Sequence, residues 1–168
     1  MARQIYHRST STFPADKVYS VLIDQDQLKA RLHELGGPGA ALLHYSVDGD
    51  GVRYRLQHGI DTGKLPSPVQ GLAPTGLRIE RTESLRPDGP GRYTGTVDVE
   101  IVGAPASMTG LLRLTDIAEG SEFVIDGTVT VKVPLIGGKM EGVVAASVQE
   151  LLDAETEFTH EWLARTSP

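Results

Sequence analysis

Cysteine is absent from the 168 residues. That excludes disulfides, a thiol nucleophile and thiolate metal sites. Aromatic residues make up only 5% of the chain, which fits an interior of small β-branched and aliphatic side chains that leaves room for a guest and offers little chemistry. Basic residues do not dominate. Lys plus Arg is 16 against 22 Asp plus Glu, a net charge of −6, and such a chain does not concentrate at nucleic acid or anionic lipid. Long apolar runs are missing as well. The longest weakly polar stretch, Gly142 to Val148, is far too short to cross a bilayer, so no stable membrane insertion is expected. The start, Met1 to Arg8, has basic residues with no apolar core behind them. A secretory leader needs that core, so a cytoplasmic protein is expected.

Catalytic signatures are also wanting. No Gly-x-Ser-x-Gly or His-Glu-x-x-His pattern occurs. The five histidines, His7, His33, His44, His58 and His160, do not pair at metal-ligand spacing, so no metal or other cofactor is expected. Gly137-Gly138-Lys139 ahead of a helix invites a phosphate reading. A P-loop would need glycine at position 133, which is Val133, and Ser or Thr at 140, which is Met140. The glycines read instead as a hinge that lets a strand pack closely as it turns into a helix.

What is present is period. Residues 3–12 read as a first strand, which Phe13-Pro14 breaks. Pro14 suits a helix start, with Val18, Val21 and Leu22 at helical spacing. Asp24 can cap a second short helix with the face Leu28, Leu32 and Leu35, ended by Gly36-Gly37-Pro38-Gly39. Leu43, Tyr45 and Val47 alternate before Asp48-Gly49-Asp50-Gly51; Val52, Tyr54, Leu56, His58 and Ile60 alternate after it, a hairpin signal. Residues 61–76, with three prolines and three glycines, read as a loop. Further short runs begin at Leu77, Tyr93, Met108 and Phe123, with turns between them.

After Pro134 the period changes. Met140, Val143, Val144, Ser147, Val148, Leu151, Ala154, Phe158 and Trp162 recur every three or four residues, with Glu141, Glu150, Asp153, Glu157 and Glu161 largely off that stripe. The spacing predicts one helix from about 136 to 164, roughly 40 Å long at ~1.5 Å per residue. Residues 136–168 carry two basic and six acidic side chains. Strands followed by a long helix predict an α+β fold with an antiparallel sheet. A helix of that length needs an apolar partner along its whole stripe, which a strongly curved sheet supplies. One domain spanning 1–168, with an interior cavity, is expected.

This order resembles the START-like (SRPBCC, helix-grip) superfamily, which includes birch pollen allergen-like and polyketide cyclase-like proteins. Phe13-Pro14-Ala15-Asp16-Lys17-Val18-Tyr19 to Asp24 is similar to that superfamily's passage from first strand to helix. Val129 to Trp162, with Pro134-Leu135-Ile136-Gly137-Gly138-Lys139-Met140-Glu141, is similar to its last strand feeding the long helix. The second stretch also resembles an uncharacterised bacterial family within it. The resemblance implies a seven-stranded curved antiparallel sheet wrapped on a long C-terminal helix, two short helices after strand 1, and a cavity for an apolar ligand. It implies no single reaction.

The expected ligand is therefore a small hydrophobic molecule, lipid or polyketide-like, held noncovalently by a carrier or sensor. Val52, Tyr54, Leu56, Val97, Val99, Leu112, Val129, Val131, Met140 and Val144 are expected to line or floor the cavity, with Tyr54, His58, Arg81 and Glu83 as polar candidates. The 61–76 loop, the 103–106 turn and the start of the long helix would frame its mouth. Three of the polar candidates carry a competing reading. His58, near a strand end, is expected to reach solvent. Arg81 and Glu83 share parity with Leu77, Ile79 and Leu85; burying them is costly unless they pair, so a bulge that turns them outward is favoured. An enzyme alternative, a cyclase or dehydratase, would use His58, Arg81 or Glu83 as acid or base. A third possibility is a protein-binding module using the acidic helix face, although such faces are usually just solvated.

Overall fold

The computed structural model describes residues 2–65, 67–71 and 73–166. Strand β1 (Ala2–Ser11) leads into helices α1 (Ala15–Leu22) and α2 (Gln25–Leu35). Strands β2 (Ala41–Asp48) and β3 (Gly51–Ile60) follow. A 3₁₀ turn (Thr62–Lys64) and the one-turn helix α3 (Ser67–Gln70) interrupt the segment expected as plain loop. Strands β4 (Leu77–Pro87), β5 (Arg92–Ile101), β6 (Ala106–Ile117) and β7 (Gly120–Val131) complete the sheet, and α4 (Gly137–Thr166) closes the chain. All pairings are antiparallel, in the order β1-β7-β6-β5-β4-β3-β2. This is the α+β fold with an antiparallel sheet that the order of periods predicts, in the helix-grip arrangement that the resemblance implies.

The short helices start where their first residues allow. Pro14 occupies the N-cap of α1, one position ahead of the helix proper, and the Asp24 carboxylate accepts from the Asp26 N–H at the head of α2. Such a cap satisfies one of the amides that a helix start leaves open.

The sheet bends because of what its inner face omits. Cross-strand register lines up Ile5, Gly127, Gly110, Val97, Glu83 and Tyr54 in one row over six strands. Gly110 and Gly127 stand side by side in it. A Cβ on Gly127 would lie 2.8 Å from Met108 Cε and 2.9 Å from the Thr109 carbonyl oxygen. Without side chains there, β6 and β7 curl inward, a strand use of glycine that follows from close backbone approach.

Helix α4 packs chiefly on β1, β7 and α2, and the middle strands β4 and β5 stand off from it. Both of its ends are tied. At the start, Glu141 accepts a hydrogen bond from the Val131 N–H at 2.9 Å. Glu141 is thus buried, not on the solvated face assigned to it from spacing, whereas Glu150, Asp153, Glu157 and Glu161 are exposed. Along its length, Gln149 donates to the Tyr6 carbonyl at 3.1 Å, and His7 Nε2 lies 2.9 Å from the Thr156 hydroxyl. The hinge before α4 is close-packed as expected: a Cβ on Gly137 would meet the Val131 oxygen at 2.6 Å. The left-handed residue of the turn is Leu135, with φ of 71°.

Candidate functional site

The site is built from the inner faces of β3, β4 and β5 and the face of α4 above them. Alternation aims Tyr54, Leu56 and His58 inward from β3, and Arg81, Glu83 and Leu85 inward from β4. The β3–β4 and β4–β5 registers run without interruption through Arg81 and Glu83. The bulge expected there is absent; a register shift falls instead between Leu42 and His44 of β2. Arg81 is 7% exposed and Glu83 4%. The outward reading of the pair is thereby overturned, and the reason is partners that lie far away in sequence.

Those partners come from both helices. Arg81 Nε donates to Glu83 Oε1 at 2.7 Å, and its Nη1 donates to both carboxylate oxygens of Glu155 at 2.9 and 3.0 Å. Arg31 of α2 approaches the same Glu155 carboxylate, with Nε 3.6 Å from Oε2. The Tyr54 hydroxyl donates to Glu83 Oε2. Below them Gln27 Nε2 donates to the Thr159 hydroxyl at 3.3 Å, and that hydroxyl donates to the Glu155 carbonyl at 3.0 Å. Two guanidinium groups and two carboxylates therefore balance in an enclosed cluster. Burial costs each charge, and the mutual pairing returns that cost only because several contacts converge.

The electrostatics follow from that geometry. Burial pushes the Glu155 carboxyl up, but the Arg31 and Arg81 guanidiniums overcome it and hold the group down at about 2. Burial alone would lower Arg81; Glu155 and Glu83 reverse this and raise it, so it stays protonated. Tyr54 is raised well above its ordinary value by burial and by the Glu83 carboxylate. His58 is lowered to about 4 by burial and the Arg81 cation, so it is neutral at physiological pH.

Beside this cluster the sheet and α4 do not meet. Between them lies a partly open cavity of about 240 Å³, whose wall includes Ile79, Val97, Val99, Met108, Val144 and Ser147, with His58 and Arg81 at its polar end. A smaller space of about 50 Å³ lies on the other side of the cluster, lined in part by Arg31, Tyr54, Glu83 and Ser121. At ~30 Å³ per molecule it suits one or two waters. The two spaces share Arg81, Ile125, Leu152 and no other lining residue, so these side chains form the partition between them.

Of the residues expected at the cavity, His58, Arg81, Val97, Val99 and Val144 line it. Tyr54 and Glu83 border only the small space beyond the partition. Val52 and Leu56 pack with Tyr54 against Leu28 and Leu32 of α2, while Leu112, Val129, Val131 and Met140 belong to the main core. Their positions are taken up by packing, because α2 and the tied ends of α4 cover them. His58 is 6% exposed, so it does not reach solvent as its strand-end position predicted; Leu35 and Gly36 of the α2 end join it at the cavity wall. Its Nε2 is enclosed and has no hydrogen-bond partner among the described residues.

Of the expected mouth, Leu65 and the Val143–Val144 stretch reach the cavity wall, and the 103–106 turn does not. Residues 66 and 72 of that expected frame lie outside the described residues. Glu155 and Arg31 carry the cluster and were not singled out from the sequence. The available signal was spacing: Arg31 follows Leu28 by three, and Glu155 lies three from both Leu152 and Phe158. A charged residue inside an apolar stripe on each helix is the mark of a buried pair.

Comparison with known proteins agrees with the architecture. A family model described as "Protein of unknown function (DUF2505)" matches residues 6–163. An uncharacterised protein of Mycobacterium tuberculosis is 29% identical over 155 residues, covering 88% of this chain and 89% of its own length, and one of Mycobacterium bovis matches equally. Among solved structures, TTHA0849 from Thermus thermophilus superposes with a TM-score of 0.65 at 17% identity, covering 99% of this chain and all of that one. Ara h 8.0201 gives 0.59 at 11% identity, covering 99% of this chain and 100% of that one. At such identities the likeness speaks for the fold alone. Among the described residues, no helix is long and apolar enough to cross a membrane.

Proposed function

We propose that this chain, which belongs to the family described as "Protein of unknown function (DUF2505)", binds a small apolar molecule noncovalently between its sheet and α4, as a carrier or sensor. The observation that carries this reading is the cavity of about 240 Å³ between β4, β5 and the first half of α4. Protein interiors normally close such spaces, since an unfilled core costs stability. Here aliphatic side chains wall the space, and two polar side chains meet at one end, the ordinary make-up of a ligand site.

Binding is favoured over proton-transfer chemistry by the identity of those two. Arg81 keeps its proton, and Glu83 faces Tyr54 across the partition. His58, lowered to about 4, is a weak base with no acid placed beside it on the cavity wall. General acid–base catalysis wants groups poised near the working pH.

Native mass spectrometry of protein purified from its own host tests the reading by looking for a retained small molecule. The matched variant is Val99→Phe, which places an aromatic ring in the cavity. The expected result is a retained mass on the parent chain and none on the variant, with both folded. If the variant retains the same molecule at the same occupancy, the cavity is not the site.

A further inference from the structure

We infer that the cavity selects an uncharged molecule of roughly ten non-hydrogen atoms, with no more than one or two hydrogen-bonding oxygens, and rejects the carboxylate of the same skeleton. This rests on the binding role proposed above and adds the size and charge class of the ligand.

Size follows from volume. A cavity of ~150 Å³ takes up benzene; about 240 Å³ has room for a one-ring molecule with a short substituent, or a compact two-ring skeleton. Only part of a long acyl chain fits inside it, and the rest would run out through its open side.

Charge follows from the partition. Among the described residues Arg81 is the one charged side chain on the cavity wall, and its Nε, Nη1 and Nη2 atoms are already directed at Glu83 and Glu155. With Arg31, the cluster holds two cations and two anions. A ligand carboxylate would enter as a third anion, facing a guanidinium that is already engaged. A ligand ammonium would face Arg81 directly. The remaining described wall carries no charge and compensates neither, so each ion would lose its hydration for little in return. A carbonyl or hydroxyl escapes that penalty. Two polar side chains on the wall have hydrogen-bonding capacity to spare: His58, neutral and with Nε2 unpartnered among the described residues, and Ser147, whose hydroxyl donates to the Val143 carbonyl at 3.2 Å and can still accept.

Three molecules of nearly the same shape separate these terms: para-ethyltoluene, para-methylacetophenone and para-methylbenzoate. Hexadecanol tests length. Each is titrated into the full chain at neutral pH and followed through the backbone amide resonances of β4, β5 and α4. The expected result is that the hydrocarbon and the ketone shift the amides around the cavity, and that the benzoate binds about 100-fold more weakly than the ketone. Benzoate binding as tight as the ketone overturns the charge selection. Hexadecanol binding as tightly as the ketone, at the same amides, overturns the size limit. If none of the four shifts those amides, the binding role itself falls and the selection with it.

Glu155→Gln and Glu83→Gln each leave the cluster with a net positive charge. In whichever variant folds, the benzoate-to-ketone affinity ratio should rise by about tenfold or more. A folded variant with an unchanged ratio shows that the cluster does not set the charge preference, and overturns the inference.

Discussion

The two ends of the interior are made from the same sheet and the same helix, yet they handle burial in opposite ways. Toward the C-terminal half of α4, Arg81 and Glu83 of the concave face meet Arg31 of α2 and Glu155 of α4, all four buried and paired. Toward the first half of α4, the same face carries Ile79, Val99 and Ile101 and stays open to a volume of about 240 Å³. One end is filled with charge and leaves only about 50 Å³; the other is apolar and unfilled by protein. The difference teaches that closure here does not track hydrophobicity. The ionic cluster joins sheet to helices through directional bonds and draws α4 down at that point. The aliphatic end has no such bond to β4 or β5, and the helix bridges over it.

Breaking the cluster should give the largest effect. Arg81→Met leaves the Glu83 carboxylate without its cation and takes one of two from Glu155. The expected loss is ~3–5 kcal/mol of stability, read as a lowered midpoint in urea unfolding. Loss below 1 kcal/mol would mean that the cluster does not hold this end shut. The companion change Arg81→Met with Glu83→Gln sharpens the point. It removes a balanced pair, leaves Arg31 with Glu155, and keeps an acceptor for the Tyr54 hydroxyl. More than half of the lost stability should return.

Acid comes next, and it acts on both ends. His58 has a folded value of about 4 against 6.5, so the unfolded chain binds its proton first. Stability should therefore fall as pH drops from 6.5 toward 4, by up to ~3 kcal/mol. Glu155, held at about 2 against 4.5, contributes stability that is complete above 4.5 and lost as pH falls toward 2. The sign is the same for both groups, so unfolding curves across pH should show one continued decline. His58→Phe should flatten its upper part and leave the lower part in place.

The cavity end should respond least. Val99→Phe adds volume where volume exists, so stability should change by no more than ~1 kcal/mol, against the 1–3 kcal/mol typical of overpacking a filled core. The same substitution at a closed position, Leu112→Phe, should show that full cost. Equal losses at the two sites would erase the distinction between the ends.

Much of the fold is legible in the chain because its signals are local. Alternation on both sides of Asp48-Gly49-Asp50-Gly51 marks β2 and β3, and the period after Pro134 marks α4 to within two residues. The interior is less legible for two different reasons. The Arg81–Glu155 contact spans 74 positions, so no window of sequence contains both the cost of burying the arginine and what offsets it. Read alone, Arg81 and Glu83 argue for a bulge. The second reason is that a cavity wall and a packed core use the same side chains. Val99 and Val129 are both inward valines on neighbouring parts of one sheet; one faces the open space and the other is fully covered. Which is which depends on where α4 lies, and no residue near either valine encodes that.

The glycine pair at positions 110 and 127 has a consequence of its own. It acts as a crease, and a crease has an address. Shifting both glycines two residues along β6 and β7 would keep the inner face inward but move the fold line by about 6.8 Å along the strands. The ionic cluster, fixed to β4 and the helices, would stay behind. The open compartment would then lengthen or shorten, and its wall would change at a single position, Met108 or Ile125, according to the direction of the shift. The capacity of such a protein is thus written partly in side chains it does not have.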